Sequence, residues 1–430
     1  MNPCLASFAA VVPCDKPECL VFKGLREPQV VKGDFGYQTS GWSAVPCGMK
    51  IIDRISLKSC NNIGMAERAR TTVVVVGGGL SGLYAARLLA VAGIEFQLLE
   101  ARNRFGGRIL SVNGKGDPAP EGYDLGPSWF WPGTHPRMAR IVDELGLRAF
   151  AQHSEGDVEV ERSRFEAPQR FPTMRQEPQS MRFEGGTGAF VSALVRALPA
   201  DGLRLGARVT RVAMRDGGLA VFFNEDGSEA EIDADQVILA LPPRLLAATV
   251  DFAPTLGQET RQLWRRTATW MAPHAKFFAL YERPFWRQSG LSGTAQSGLG
   301  PLMEIHDATL ASGPAALFGF VGLDHVQRTA VGEESLVRAA VAQLVRLFGP
   351  MAGAPQATLF KDWTADGLTA TQADAQVEGH PLPHPGPWIS GDWADRMSLA
   401  GSETSATAPG YLAGALDAAE RAVKETISRL

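Results

Sequence analysis

The sequence predicts an α/β protein of two interleaved domains, the first built on a Rossmann-like βαβ unit and the second on a mixed sheet. Three observations support this prediction. Four valines at 73–76 lead into a glycine-rich turn at 77–82 (GGGLSG). An apolar helix at 83–92 and a second strand at 94–99 follow, and Glu100 ends the unit. Beyond this unit, strands and helices occur in mixed order, which indicates a second domain threaded through the first.

The glycine-rich turn has the spacing that binds the ADP half of a dinucleotide. Gly77 permits the tight turn, Gly79 lets the backbone approach the pyrophosphate, and Gly82 lets the helix pack closely on the strand. We expect the phosphates at the helix N-terminus, where Ser81 lies in the first turn. Glu100 should accept hydrogen bonds from ribose hydroxyls and repel a 2′-phosphate, so the pattern favours FAD or NAD over NADP.

Residues 100–108 (EARNRFGGR) resemble the extended FAD fingerprint of the flavin amine oxidase superfamily and so favour FAD over NAD. Arg102 and Arg108 can neutralise pyrophosphate charge with planar, bidentate donors. An arginine cluster on the surface would not explain the glycine pair between them. The resemblance also implies contacts with the cofactor from Ser128 and Val209.

A second resemblance lies near the end of the sequence. Residues 399–404 (LAGSET) and 410–415 (GYLAGA) are similar to the C-terminal flavin motif of monoamine and polyamine oxidases. This similarity implies cofactor contacts from Gly401, Glu403 and Leu412. It also implies a helix N-terminus directed at the flavin, whose partial positive charge would favour electron density on the ring.

A third match, at 274–286 (HAKFFALYERPFW), resembles the family strand whose lysine holds a water against flavin N5. Lys276 would share one face of this strand with Phe278 and Leu280, and the other face is also apolar. A lysine in such a strand is costly to bury unless it has a function. A lysine that reaches solvent from an edge strand remains the alternative.

The aromatic pair that sandwiches the amine in these oxidases is incomplete in the sequence. Tyr411 matches one wall, and the opposite wall is small. Trp129, Trp131 and Trp363 could supply replacement aromatic surface to the substrate pocket, although buried tryptophans more often serve packing. Lys276 and Tyr411 are the expected catalytic residues.

The segment 362–371 departs from the monoamine oxidases, which place a flavin-linked cysteine and a cage tyrosine there. This chain has neither residue, and all five of its cysteines lie before residue 61. We therefore expect non-covalent FAD. The cysteine spacing matches no zinc pattern, and no metal is expected.

The expected organisation alternates between the two domains. The FAD-binding domain takes residues 69–150, 183–254 and 386–430, and the substrate domain takes 151–182 and 255–385. Residues 1–68 form an N-terminal extension that we expect to be disordered or to result from a mis-set start, with Met65 as the true first residue.

The resemblance implies oxidative deamination of an amine. A hydride would pass to flavin N5, and O₂ would reoxidise the flavin to give H₂O₂ together with an imine that hydrolyses to aldehyde and ammonia. Two alternatives remain: a flavin desaturase or isomerase of an apolar substrate, and a redox-inactive FAD-binding protein.

The charge and hydropathy of the sequence limit which partners and which cellular location we expect. The net charge of −4 gives no electrostatic argument for a nucleic-acid partner. No apolar run approaches the roughly 18 residues that a membrane span needs, so we expect no membrane association. A homodimer is one option for assembly. We expect a cytoplasmic protein, with the alternative of a peroxisomal one in a eukaryote because 428–430 (SRL) resembles a peroxisomal address.

Overall fold

The computed structural model describes residues 69–173, 177–376 and 379–430. The expectations for residues 1–68 lie outside these described residues. Among the described residues, no helix combines the length and the apolar content that crossing a membrane requires.

The strands of the described residues follow in chain order: β1 (Arg70–Val76), β2 (Phe96–Leu99), β3 (Ser111–Val112), β4 (Tyr123–Asp124), β5 (Ala149–Ala151), β6 (Asp157–Glu161), β7 (Gln169–Pro172), β8 (Met181–Phe183), β9 (Leu203–Arg204), β10 (Arg208–Arg215), β11 (Gly218–Glu225), β12 (Ser228–Leu239), β13 (Asp251–Ala253), β14 (Ala275–Tyr281), β15 (Leu291–Ser297), β16 (Leu302–Asp307), β17 (Ala315–Val321), β18 (Ala357–Asp362) and β19 (Met397–Leu399).

The α-helices of the same residues are α1 (Leu80–Val91), α2 (Pro136–Glu144), α3 (Gly188–Arg196), α4 (Pro243–Thr249), α5 (Gln258–Arg266), α6 (Phe285–Gln288), α7 (His325–Val331), α8 (Glu333–Phe348) and α9 (Leu412–Ile427). Short 3-10 helices lie at Ala200–Gly202, Pro350–Gly353, Gln372–Ala375, Gly391–Asp395 and Ser402–Thr404.

The first sheet has the order β13-β10-β11-β12-β1-β2-β9, and β19 pairs with β12 beside this path. Strand β1 is parallel to both of its neighbours, β12 and β2. Its valines are buried on both faces: Val73 and Val75 pack with α1 and α9, and Val74 and Val76 pack with a core that includes Trp264. This burial explains the uninterrupted valine run, because a parallel strand covered on both faces needs no polar alternation.

Three strands that are distant in sequence end side by side in this sheet. Val76 of β1 pairs with Leu239 of β12, and Leu239 also pairs with Leu399 of β19. The loops that follow these strands therefore meet at one carboxyl edge, the place where open α/β sheets bind their ligands.

The second sheet has the order β18-β14-β17-β16-β15-β6-β7. Its pairs are antiparallel except for β15 and β6. Helix α8 covers one face, where Leu344 packs with Phe277. On the opposite face, Phe278 and Phe318 pack with residues that include Tyr123.

The fold class is confirmed, and several element bounds differ from the expectation. The sequence pattern predicts two separate strands, at 229–232 and 237–241, but β12 runs unbroken from 228 to 239. The polar residues between them do not break it because Asp233 pairs with Arg215 at 2.9 Å while Ala234 is buried. The sequence pattern also predicts the last helix over 409–428, but α9 begins at Leu412, since Gly410 has a φ of +81° and cannot continue a right-handed helix.

Candidate active site

A cavity of about 1110 Å³ lies at the carboxyl edge of the first sheet and reaches one face of the second. Its wall contains Gly77 and Gly401 from the loops of the first sheet, and Lys276 and Phe320 from the second. Every site residue expected from the sequence lines this cavity except Gly82 and Glu403. The remaining predicted residues in its wall are Gly79, Ser81, Glu100, Arg102, Arg108, Ser128, Trp129, Trp131, Val209, Trp363, Tyr411 and Leu412.

The glycine turn and the start of α1 form a surface that fits a diphosphate. Gly77 has a φ of +103°, and a Cβ there would lie 2.9 Å from the carbonyl oxygen of Ala240. A Cβ on Gly79 would meet no protein atom closer than 3.9 Å, so the space beside it in the cavity is open to a ligand. The first turn of α1 carries no acidic side chain and no side-chain cap. Its free amide groups therefore suit an anion.

Gly82 lies behind the cavity wall and not in it. A Cβ at this position would lie 1.8 Å from the carbonyl oxygen of Gly77. Its role is thus the close packing of helix on turn, as the spacing of the motif predicts.

Glu100 ties the second strand to the glycine turn. One carboxylate oxygen accepts from the amide of Gly78 at 2.7 Å, and the other accepts from the amide of Arg102 at 2.8 Å. Each carboxylate oxygen can accept a further hydrogen bond. The group therefore remains suited to a ribose hydroxyl.

Both arginines of the fingerprint form ion pairs within the protein. Arg102 donates to Asp366 at 3.0 Å. Burial alone would raise the pKa of Asp366, but the positive charges of Arg102 and Lys361 outweigh burial and lower this pKa. Arg108 contacts Glu403 at 2.6 and 3.1 Å. Carboxylates of the protein thus partly neutralise the positive charges of both arginines. The spacing of the arginines in the sequence did not indicate these ion pairs.

Glu403 is fully buried and holds Arg108 in place from behind the cavity wall. It also accepts from the amide of Trp270 at 3.2 Å. The carboxylate of Glu403 therefore has its hydrogen-bond partners within the protein. Gly401 does line the cavity, and a Cβ there would lie 2.3 Å from the carbonyl oxygen of Leu241.

Lys276 is buried in an interior strand of the second sheet and is not an edge lysine. It is 3% exposed, and β14 is paired with β17 on one side and β18 on the other. Its Nζ donates to the backbone oxygens of Asp124 (3.2 Å) and Gly126 (2.6 Å) and to Ser128 Oγ (3.0 Å). The ring of Phe318 lies 4.5 Å from the same atom.

Burial lowers the pKa of Lys276 to about 7, although the nearby charge of Asp124 acts in the opposite direction. Burial likewise raises the pKa of Asp124, whose Oδ1 accepts from Ser111 (2.6 Å) and from Thr187 (2.8 Å). Arg182 adds a second buried cation near both groups and further lowers the pKa of Lys276. The cavity wall therefore contains an amine, that of Lys276, whose pKa of about 7 lies in the physiological range.

Tyr411 belongs to an aromatic cluster that the sequence revealed only in part. Its ring stacks on His380 with centroids 4.7 Å apart, and the edge of Trp131 meets it at 5.9 Å. Trp270, at 6.4 Å, completes the cluster. His380 and Trp270 were missed because neither matches a family motif, although Trp270 precedes the lysine strand by only a few residues.

The three tryptophans expected in the substrate pocket all line the cavity, and each indole N–H has an acceptor. Trp129 donates to Gln152 at 2.8 Å, Trp131 donates to Ser180 at 2.9 Å, and Trp363 donates to the backbone oxygen of Leu125 at 2.9 Å. The indoles are thus fixed in orientation and present apolar ring surface to the cavity.

The cavity wall also has an acidic part that the sequence motifs did not indicate. Glu304 and His306 of β16 line it and form a hydrogen bond of 2.7 Å. This bond lowers the pKa of Glu304 although burial acts to raise it. Glu177 also lines the cavity. Alternation of polar and apolar residues along β16 was the signal available in the sequence, but it does not distinguish a cavity wall from a solvated face.

Known proteins resemble this chain along most of its length. The family model described as flavin containing amine oxidoreductase matches residues 80–159 and 149–427. A probable flavin-containing monoamine oxidase A of Dictyostelium discoideum is 23% identical, over 83% of this chain and 98% of the relative. A putative flavin-containing monoamine oxidase of Mycobacterium tuberculosis is 26% identical over 83% and 97%. An L-amino acid dehydrogenase of Synechocystis is 24% identical over 85% and 97%.

Solved structures share the fold. Wild-type putrescine oxidase bound to putrescine aligns with a TM-score of 0.68 at 20% identity, covering 84% of this chain and 100% of that one. Cyclohexylamine oxidase from Brevibacterium oxydans aligns with a TM-score of 0.69 at 20% identity, covering 83% and 99%. Since the family model spans most of the sequence, the chain belongs to the flavin-containing amine oxidoreductases, enzymes that oxidise amines with a flavin cofactor.

Proposed function

We propose that this protein binds FAD without a covalent link and deaminates an amine oxidatively, producing an imine, then aldehyde and ammonia, with O₂ reduced to H₂O₂. One observation carries the proposal: buried Lys276 shares a single cavity with the glycine turn of α1 and with Tyr411. The cavity thus combines a surface for a dinucleotide with a wall that can hold an amine.

The residues around α1 would hold the cofactor. The amides of its first turn suit the pyrophosphate, and Glu100 suits the ribose. No cysteine follows residue 60, so a cysteinyl link is excluded for this part of the chain. When bound, the flavin would supply the hydride acceptor for the α-carbon of the amine and the electrons for O₂.

The chain's own residues would orient the substrate and position charge. Tyr411 and Trp131 present aromatic surface that can hold the amine, and the fixed indoles exclude water from it. Below about pH 7, Lys276 would hold a proton at Nζ, and this buried positive charge would favour reduction of O₂. The polar groups Glu304 and His306 in the cavity favour an amine over an apolar desaturase substrate.

Anaerobic bleaching of the purified yellow protein near 450 nm tests this function. Primary amines, diamines and amino acids would be added in turn, and air would then be admitted. We expect one amine class to bleach the flavin and air to restore the colour with release of peroxide. Acid precipitation should leave intact FAD in the supernatant. A protein that no amine bleaches would contradict the oxidase activity, and flavin retained in the pellet would contradict non-covalent binding.

A further inference from the structure

We propose that Ser128 passes a proton from Lys276 into the cavity, to the oxygen that is reduced there, and so completes the formation of H₂O₂. This inference rests on the oxidase activity proposed above and assigns a proton route to it. The groups that surround Lys276 Nζ carry the argument.

Within the described part of the chain, one neighbour of Nζ can both accept and donate a proton. The backbone oxygens of Asp124 and Gly126 only accept hydrogen bonds. Ser128 Oγ, at 3.0 Å, accepts from an ammonium group and can donate to a neutral amine. Aromatic rings with centroids 4.5 to 5.9 Å from Nζ cover its other sides, and they belong to Phe278, Phe318 and Phe320.

Ser128 also links Nζ to the cavity. It lies in the cavity wall and is 6% exposed. The backbone before it is fixed, because Leu125 O accepts from the Trp363 indole at 2.9 Å. Pro127 O likewise accepts from Thr187 Oγ1 at 3.1 Å. The hydroxyl of Ser128 is therefore held between Nζ and the cavity.

Formation of H₂O₂ needs one proton more than the hydride of the amine supplies. The hydride gives O₂ two electrons and one proton, so the second proton must come from an acid. An N–H bond of Lys276 would break as its proton moves to Ser128 Oγ, while the O–H bond of Ser128 breaks as its proton joins the oxygen. Lys276 is left as a neutral amine and regains a proton from water by the same route.

The charges around Lys276 permit both of its protonation states. Burial lowers its pKa to about 7, while Asp124 acts to raise this pKa and Arg182 to lower it. Lys361 pairs with Lys276 from β18 and forms an ion pair with Asp366 at 3.2 Å. Further titratable groups on this face lie one strand beyond β17 and are Glu304 and His306. Near neutral pH, the ammonium group can thus lose and regain its proton.

Exchange of the Nζ protons with water tests the route without amine oxidation. FAD-loaded protein with ¹⁵N in its lysine side chains would be followed by NMR at about pH 6, where an amine of this pKa is protonated. Loss of a signal in Lys276→Met identifies Lys276. We expect Ser128→Ala to slow the exchange at least about tenfold, because carbonyl oxygens and rings cannot carry the proton away. Ser128→Thr keeps the hydroxyl and should exchange within about threefold of the native rate.

Ser154→Ala is the matched control for the exchange measurement. Ser154 also lines the cavity but makes no hydrogen bond with Lys276. The control removes the same hydroxyl group and should leave the exchange rate unchanged. An unchanged rate in Ser128→Ala would mean that Nζ contacts water of the cavity directly, and it would overturn the proposal.

Stopped-flow reaction of the dithionite-reduced protein with O₂ tests the role in catalysis. The native rate constant should fall roughly tenfold from about pH 6 to about pH 8, as Lys276 loses its proton. In Ser128→Ala the constant should be lower at about pH 6 and vary less than about twofold over this range, because the acid is disconnected. Ser128→Thr should follow the native profile. If Lys276 acted only through its positive charge, Ser128→Ala would keep the native pH dependence, and that result would exclude the route.

Ser128→Cys takes the place of Ser128→Ala if the alanine variant fails to load flavin. A thiol donates and accepts hydrogen bonds only weakly, so exchange at Nζ should be at least about threefold slower than in the native protein. A native exchange rate in this variant would count against the proposal. If no amine bleaches the flavin, the proposed amine oxidation fails, whereas the exchange rate and the reaction with O₂ still decide the role of Ser128.

Discussion

Replacing Lys276 with methionine should abolish a pH dependence of stability that the native protein carries. Burial lowers the pKa of Lys276 to about 7, whereas a lysine in an unfolded chain titrates near about 10.4. Between these two pH values the unfolded chain holds the proton and the folded protein does not. The free energy of unfolding therefore rises with pH in this window and is lowest, for this group, below pH 7.

The size of the effect follows from the pKa difference. Each unit corresponds to about 1.4 kcal/mol, so the native protein should gain about 3 kcal/mol from this group between pH 7 and about pH 9.5. Methionine cannot titrate and adds no such gain. It also leaves Gly126 O and Ser128 Oγ without their donor, but that cost does not vary with pH and appears only as a constant offset.

Urea unfolding at four pH values from 7 to 9.5, without added cofactor, measures the effect. The free energy of unfolding of the Lys276→Met variant is subtracted from that of the native protein. Because both proteins contain the same tyrosines, the contribution of tyrosine titration cancels in this difference. Lys424→Met, at an exposed position of α9, is the control and should give a difference independent of pH. If the difference in free energy of unfolding between the native protein and Lys276→Met is also independent of pH, Lys276 titrates at its ordinary pH and the reasoning is refuted.

Three further variants test other contacts of the cavity wall. Gly82→Ala would place a carbon 1.8 Å from a backbone oxygen and should lower the melting temperature by at least about 5 °C. Gly133→Ala, whose added carbon meets no atom within 4 Å, should have almost no effect; similar melting of the two variants would contradict the close helix packing. Glu403→Gln breaks a buried ion pair and should cost about 3 kcal/mol in urea unfolding, whereas Glu425→Gln, on a partly exposed helix pair, should cost less than about 0.5 kcal/mol; equal costs would contradict a structural role of the buried pair. Tyr411→Ala should lower kcat/KM for an amine at least about tenfold at unchanged flavin content, and Tyr411→Phe should not; loss of flavin from the alanine variant would identify Tyr411 as a cofactor contact instead.

The sequence was sufficient to predict the parts of the fold whose signals are local. The valine run before Gly77 indicates burial on both faces of a parallel strand. The acids at 333 and 334 and the glycine at 349 predict a helix over 333–348, and α8 has these bounds. Burial of Lys276 was predictable as well, with an exposed edge lysine as the alternative, since both faces of its strand are apolar.

What the sequence could not supply depends on pairing between distant segments. The register that aligns Lys276 with Glu304 exists only through the intervening strand that carries Phe320. The contact of Arg108 with Glu403 joins residues 295 positions apart, and nothing near either one indicates it. The β12 strand was divided in the prediction because local polarity at 233–236 outweighed alternation, whereas pairing with β11 and β1 holds it together.

The side-by-side ends of β1, β12 and β19 constrain how the protein is made. Residues 397–427 leave the ribosome long after the glycine turn, yet β19 and α9 form part of the core that surrounds that turn. A nascent chain that has reached only β12 has the diphosphate surface without the wall that contains Gly401 and Tyr411. The cavity wall is therefore complete only after the segment that carries Gly401 and Tyr411 has been synthesised and has folded onto the first sheet.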